Sequence, residues 1–418
     1  MKEEILEFSK QHAEPEWLSN LRQEAYKKVE ELSLPEIEGA NFKTWKLETT
    51  VIGNNSFLET VPDFTALGDN PLFISVGSNK LLEQLSPELV EKGVIFTDFQ
   101  SALEEVPEIM EKYLGTVLKY DDHKLAAANM ASFNSGMLLY VPDNVEIEGA
   151  IEAQILHDSN SYIPFNKRLL IIAGKHSKFS YLEQVKSTEE GTDKTTGNLV
   201  VEILALEGAQ INYSTVDQLN EHLTTYISRQ ALLEKNASIE WSAALMNDGN
   251  IIYDLDSSLK GEASSSKIRI VGLSSQRQIQ IVDTSVINYG NHSVGHILQH
   301  GVILDKARLS FNGIGHIIKG AKGADAQQES RVLMLSDKAR SDANPILLID
   351  ENEVTAGHAA SIGQIEEEDL YYLMSRGLDE KTAKRLIIRG FLSAVVSEIP
   401  SESLRAEFIE TIDRKLDF

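Results

Sequence analysis

Cysteine is absent from all 418 residues. That excludes disulfides, thiolate nucleophiles and any metal or cluster site built from this chain's own sulfur. No apolar run approaches the roughly 18 residues a membrane-spanning helix needs, and the opening MKEEILEFSKQHAEPEW has no apolar h-region. The expected setting is therefore soluble and cytoplasmic. No P-loop pattern occurs, and Gly313-Ile314-Gly315 is too little of a dinucleotide fingerprint, so any nucleotide hydrolysis would come from another chain. Basic charge is scarce as well: 39 Lys and Arg against 64 Asp and Glu give a formal charge of -25, which argues against nucleic acid or an anionic membrane as the main partner.

What is present divides into three regions, expected at 1–134, 135–363 and 364–418. The first 33 residues read as helical with a break at Pro15, after which Trp17, Leu18, Leu21, Ala25, Val29 and Leu32 fall at helical spacing until Leu34-Pro35 closes the run. Residues from Trp45 to about 70 read as irregular or short-stranded. Leu72 to Ser78 and Val94 to Thr97 read as short strands, and Phe99 to Leu114 as a helix that Pro107 kinks or splits. The region is expected to be a small helical and mixed α/β cap.

From Ser135 the sequence turns to strands, among them GMLLYVP, IEAQIL, RLLIIA, LVVEILAL, YISRQALL, KIRIVGL, QIQIV and PILLID. Gln278 to Ile281 alternates as a strand with one buried face does, while the continuously apolar runs suit strands covered on both sides. A repeat runs through them: GKHSKFSY, EGAQINYS, KNASIEWS and DKARLSFN each place a small residue (Ser177, Ala209, Ala237, Ala307) before an apolar or aromatic pair, with Ala339 as a degenerate copy. Copies lie about 28 to 32 residues apart with one larger gap. A period of that size carried by strands predicts a β-helical solenoid, with a sandwich or propeller as alternatives.

The pattern changes at EVTAGHAASIGQIEEEDLYYLMSRGL. Four acids, Glu366 to Asp369, suit the first turn of a helix, and Gly377 suits its left-handed stop. Beyond it, Ala383, Leu386, Ile387, Phe391, Ala394 and Val395 form one apolar stripe; Pro400 breaks the helix, Ser401 caps the next, and Leu404, Phe408, Ile409, Ile412 and Leu416 form a second. Such stripes either pack on the body or receive a partner.

Histidines are the candidate ligands. His292, His296 and His300 are spaced by four in a strand-and-turn context, where they suit either a metal or a satisfied solenoid wall; the sequence decides a metal role for none of them, nor for His316. His358 is set among Ala356, Gly357, Ala359 and Ala360, which leave its ring accessible at the end of the strand region. A structural histidine is the competing reading. Acidic turns also suit a β-helix enzyme acting on a polysaccharide, although neither a basic groove nor a catalytic carboxylate pair can be picked out.

The segments LAAANMASFNSGMLLYVPDNVEIEGAI (125–151), KGAKGADAQQESRVLMLSDKARSDANPILLIDENEVTAGHAASIG (319–363) and EEEDLYYLMSRGL (366–378), with EPEWL at 14–18 and Trp45-Lys46, resemble the SufB/SufD family of the SUF iron–sulfur cluster assembly system, on its SufD side. The resemblance spans nearly the whole chain in order. It implies an N-terminal helical region, a right-handed parallel β-helix and a C-terminal helical domain. It also implies a non-catalytic subunit that pairs with a SufB-like scaffold chain through the β-helix, and docks a SufC-like ABC-type ATPase, which brings the ATP, through helices carrying Leu370, Tyr371, Leu373, Met374, Arg376 and Leu378. By position, His358 resembles a family histidine that acts at the SufB interface, as a metal or nascent-cluster ligand. Some relatives carry a cysteine where Ala356 stands here. With no thiolate, this chain would supply at most nitrogen or oxygen ligands and hold no cofactor tightly by itself, which favours the SufD side. A homodimer in the absence of partners is a further expectation.

Overall fold

The computed structural model describes residues 2–55, 70–188, 191, 194–397 and 402–416. Two helices open the chain, α1 (Lys2–Gln11) and α2 (Glu16–Glu31), with extended Pro15 as the N-cap between them. After strands β1 (Leu72–Val76) and β2 (Asn79–Gln84) come α3 (Pro87–Glu91), β3 (Ile95–Asp98), α4 (Phe99–Glu105) and α5 (Pro107–Tyr113). Pro107 splits the helix expected over 99–114: Val106 leaves the helical region at φ -139°, ψ 53°, because an α conformation before proline is sterically disfavoured. Next comes α6 (Lys124–Ser132), a helix the periodicity does not reveal. Its residues from Leu125 to Ser132 are buried all round, so it has no polar face to set a rhythm.

The solenoid strands follow: β4 (Ser135–Val141), β5 (Glu146–His157), β6 (Phe165–Ala173), β7 (Lys178–Ser187), β8 (Thr195–Ala205), β9 (Gln210–Gln218), β10 (Leu223–Leu233), β11 (Ser238–Leu245), β12 (Ile251–Leu259), β13 (Ser265–Ser274), β14 (Ile279–Asn288), β15 (Val294–Ile303), β16 (Arg308–Ile317), β17 (Asp325–Met334), β18 (Arg340–Ile349) and β19 (Thr355–Gln364). Odd strands from β5 to β19 stack in parallel as one sheet and even strands from β4 to β18 as the other. Each coil contributes one strand to each sheet, and the interior between them is the core. The chain ends in α7 (Glu367–Ser375), α8 (Glu380–Val396) and α9 (Glu402–Lys415).

The coil corner explains the repeat. His176, Gly208, Asn236, Ala263, His292 and Gly323 all have positive φ. Each donates its backbone N–H to a carbonyl of the next coil, from His176 to Glu207 at 2.9 Å through to Gly323 to Glu353 at 2.7 Å. The residue after each one, Ser177, Ala209, Ala237, Ser264, Ser293 or Ala324, is buried where only a small side chain fits. Ala307 and Ala339 are not later copies on this corner: they precede β16 and β18, in the other sheet. The larger gap in the sequence repeat, between Ala237 and Ala307, arises because Ser264 and Ser293 lack the following aromatic that made the first copies visible, as does Ala324 further on. Where aromatics are present they stack along the interior, Tyr181 on Tyr213 at 5.0 Å and Tyr213 on Trp241 at 4.7 Å. Beside them Arg229 pairs with Glu183 (2.6 Å) and Asp217 (2.9 Å), all fully buried.

The outer faces are covered unequally. Leu34, Ile37, Phe42 and Trp45 pack across Tyr226, Ile252 and Ile281 on the even sheet. On the same sheet, buried Arg168 bonds Glu202 at 2.8 Å and Asn129 of α6 at 2.9 Å. On the odd sheet α8 and α9 pack Ile388, Leu392, Ile412 and Leu416 against Val216, Ala244, Val271, Leu273 and Val302.

Candidate functional site: the open end of the solenoid

The last coil has no successor among the described residues, so β18 and β19 each keep one unpaired edge. Most of β19 is exposed and β18 is half-buried to exposed. Ile362 (43%), Leu348 and Ile349 are large apolar side chains left in water there.

His358 lies on β19 in register with Gln328, as Ala356 is with Ala326 and Ile362 with Val332. Ala326, Gln328 and Val332 are the buried, inward members of β17. Register partners in parallel strands share a face, so His358 continues the interior row and is exposed only because no further coil covers it. The Gln328 amide donates to the Ile346 carbonyl at 2.9 Å, filling the space beneath. No described residue hydrogen-bonds the His358 ring. Gly357 lies on the opposite face, where the Gln327 side-chain amide comes close to it. Beside it a groove of about 470 Å³ runs over Lys267, Arg269, His296, Gln327 and Glu329. Its charges are largely paired, Glu240 with Lys267 (3.3 Å) and Arg269 (3.2 Å), and His296 with Asp325 (3.1 Å).

The other histidines do not gather. His292 forms a coil corner. His296 and His300 share the outer face of β15, but His300 is stacked under Phe391 of α8 at 4.8 Å and donates Nδ1–H to its carbonyl at 3.0 Å. Burial holds its imidazole below the ordinary value. His316 faces Asp350 at 3.1 Å. Among the described residues no three His, Asp or Glu side chains are close enough to hold a metal.

Helix α7 starts after Glu366 with Glu367, Glu368 and Asp369 in its first turn, and Gly377 at φ +94° ends it. None of its residues is buried. Tyr371 (75% exposed), Tyr372 and Met374 project into water, Arg376 is exposed with its guanidinium 5.1 Å from the Tyr372 ring, and Leu370, Leu373 and Leu378 are half-buried. In α8 part of the expected stripe holds: Ala383 is buried and Phe391 packs with the odd-sheet cluster, which Ile388 and Leu392 also join, whereas Leu386 is 45% exposed. The side chains of Ala394, Val395, Leu404 and Phe408, and residues Pro400 and Ser401, lie outside the described residues.

A family model described as "SUF system FeS cluster assembly, SufBD core domain" matches residues 156–391, and one described as "SufBD protein N-terminal region" matches 63–153. The chain is 41% identical over 429 aligned residues, covering 99% of this chain and 97% of the relative, to "Iron-sulfur cluster assembly protein SufD" of Bacillus subtilis (strain 168). It is 27% identical, covering 95% of this chain and 89% of the relative, to an "Iron-sulfur cluster assembly SufBD family protein" of Staphylococcus saprophyticus, with the same figures for one of Staphylococcus aureus (strain MRSA252). The chain belongs to the SufB/SufD family. As a SufB/SufD-family protein of the SUF system it serves iron–sulfur cluster assembly as a scaffold subunit, not as an enzyme. The polysaccharide-enzyme reading is thereby set aside.

For this SufB/SufD-family chain the sequence drew attention to His358 but missed the bare apolar edge around it. PILLID, which spans Leu348 and Ile349, looks like any buried strand. Nothing local says that the coil it belongs to is the last one.

Proposed function

We propose that the open end of the solenoid seats a second, cysteine-bearing β-helical chain of the same family, the SufB-like partner, against the free edges of β18 and β19. The observation that carries this is that both sheets end at one place in unpaired parallel edges beside exposed Leu348, Ile349 and Ile362. Bare edges of this kind are templates for pairing with another strand. Docked there, His358 lies at the junction, where its imidazole offers one nitrogen to iron of a nascent cluster. An accessible, unpartnered ring on a chain without thiols fits a single-ligand contribution; sulfur ligands come from the partner. A positional role for His358 without ligation is the second reading within the same assembly.

The exposed side of α7, with Tyr371, Tyr372 and Met374, together with Leu386 of α8, is the proposed docking surface for the SufC-like ATPase, which carries ATP. Because α8 grips His300 through Phe391 on β15, motion of the helices is passed to the odd sheet, two strands from β19. Alone, the chain pairs with itself through the same edges. In this arrangement residues 1–134 cap, 135–363 pair and 364–418 dock.

The test is purification of the tagged chain from its own cells, with and without residues 366–418, and as His358→Ala. The proposal expects a cysteine-bearing sister chain and an ATPase with the full chain, loss of the ATPase on truncation, and an intact complex with reduced cluster yield for His358→Ala. A complex that keeps its ATPase after truncation would contradict the docking assignment. Unchanged cluster yield in His358→Ala would leave His358 positional.

A further inference from the structure

The opposite mouth of the solenoid contains a cavity that cluster assembly does not account for. It measures about 520 Å³ and is bounded by Phe73, Phe99 and Phe133, the last two in edge contact at 5.8 Å, with Ser135 and Lys167 among its polar lining. That volume falls within the usual range for small-molecule sites, which combine apolar walls with a few placed polar groups.

Lys167 is the unusual member. It shares one face of β6 with the core residues Phe165 and Leu169, two positions to either side, so it points into the solenoid, and it is 2% exposed. Its ammonium donates to the Gly77 carbonyl, to Asn134 Oδ1 (3.0 Å) and to Ser135 Oγ (2.5 Å), all neutral acceptors. The other buried cations have carboxylates: Arg22 has Glu14, Arg168 has Glu202, Arg229 has Glu183 and Asp217. No described carboxylate pairs with Lys167. Burial alone pushes its pKa down to about 7. Maintaining a lone ammonium there is costly, and a carboxylate brought into the cavity would offset that cost. Ser135, the register partner of Lys167 on β4, accepts from the ammonium and has no acceptor for its own O–H among the described residues.

We propose that this cavity binds a small organic monocarboxylate, its apolar body against the phenylalanine rings and its carboxylate receiving the Ser135 O–H in the field of the Lys167 charge. Of the three cations lining the cavity, Arg22 is paired with Glu14 and Lys80 with Asp98, which leaves Lys167 as the one without a carboxylate partner among the described residues; with Glu104 also in the lining, a ligand of single charge suits the site better than a dianion. A phosphate dianion would bring a second negative charge beside Asp98 and Glu104 of the same lining.

The test is calorimetric titration of the full chain with phenylacetate, hexanoate and 4-methylpentanoate, with phenylacetamide as the neutral isostere and inorganic phosphate as the dianion. At least one carboxylate is expected to saturate one site, with phenylacetamide about tenfold or more weaker and phosphate absent. Lys167→Met is expected to weaken carboxylate binding by about tenfold and Ser135→Ala by about threefold, each fold verified by circular dichroism. Equal binding of acid and amide, binding of phosphate alone, undiminished binding by folded Lys167→Met, or no saturation by any of the three carboxylates would overturn the proposal. The acid-to-amide comparison uses the unaltered chain, so it stands even if a variant misfolds.

Discussion

At its N-terminal end the solenoid stops in antiparallel partners, β2 on β1 and β3 on β4, with helices laid over the outer face of the even sheet; at its C-terminal end both sheets stop in bare parallel strands. The N-terminal hairpin and short crossing strand blunt the edges, which is how soluble proteins prevent further pairing. The C-terminal coil has no such device, and its side chains pass from buried in β15 to exposed in β19. A charge contrast runs alongside. Near the capped end Arg168 and Glu202 are fully buried and mutually bonded, while at the open end Lys322 and Glu353 pair in water at 3.2 Å. Removing one partner of the first kind is costly because the other charge stays buried, whereas pairs of the second kind contribute little.

Substitutions at the two ends should therefore differ in kind. The largest effect is expected for Arg168→Leu, which leaves the Glu202 carboxylate buried without its counter-charge, held only by backbone N–H groups of Gly115, Val117 and Leu118, and should cost about 3–5 kcal/mol in denaturant unfolding. A loss below about 1 kcal/mol would mean that the capped end is less tightly held than its geometry implies. Mid-solenoid, Asp254 sits in register with Asp283 on the even sheet. Burial first, and the Asp283 charge second, raise its pKa to about 7, with a 2.6 Å hydrogen bond from Tyr226 working against them. A carboxyl that holds its proton longer in the folded state stabilises fully below its unfolded pKa of about 4 and loses that contribution as pH rises through about 7. Asp254→Asn should accordingly raise the melting temperature at pH 8 and change it little at pH 4, by thermal scans at both values.

At the open end the order reverses, with function more sensitive than stability. Ile362→Ser and Tyr371→Ser are each expected to change unfolding free energy by no more than about 0.5 kcal/mol. Ile362→Ser should nevertheless weaken pairing with the sister chain, and Tyr371→Ser should weaken retention of the ATPase, both read by co-purification. His358→Ala should have the smallest effect on stability, since its ring has no described hydrogen-bond partner to lose. A drop of more than about 1 kcal/mol would mark it as a structural histidine instead.

The same contrast decides what could be read from the chain. Alternation and the aromatic-bearing corners at Ser177, Ala209 and Ala237 made the solenoid legible, because a buried interior imposes period two and small corners wherever coils stack. The corners at Ser264, Ser293 and Ala324 escaped because Ile268, Ile297 and Gln328 stand where the aromatics would be. Helix α6 escaped because burial on all sides erases periodicity. His358 stood out through its small neighbours, but its inward direction and the bareness of its strand depend on a further coil that is absent among the described residues. Lys167 was invisible within RLLIIA and its flank, since a lysine before an apolar run reads as a strand end.

The most direct test of the central claim is amide hydrogen exchange across the chain, alone at low concentration and then with its cysteine-bearing sister chain. The account predicts rapid exchange in β18 and β19 when alone and strong protection of both on pairing, with β1 to β4 unchanged. Protection that appeared at the capped end while β18 and β19 stayed open would contradict it.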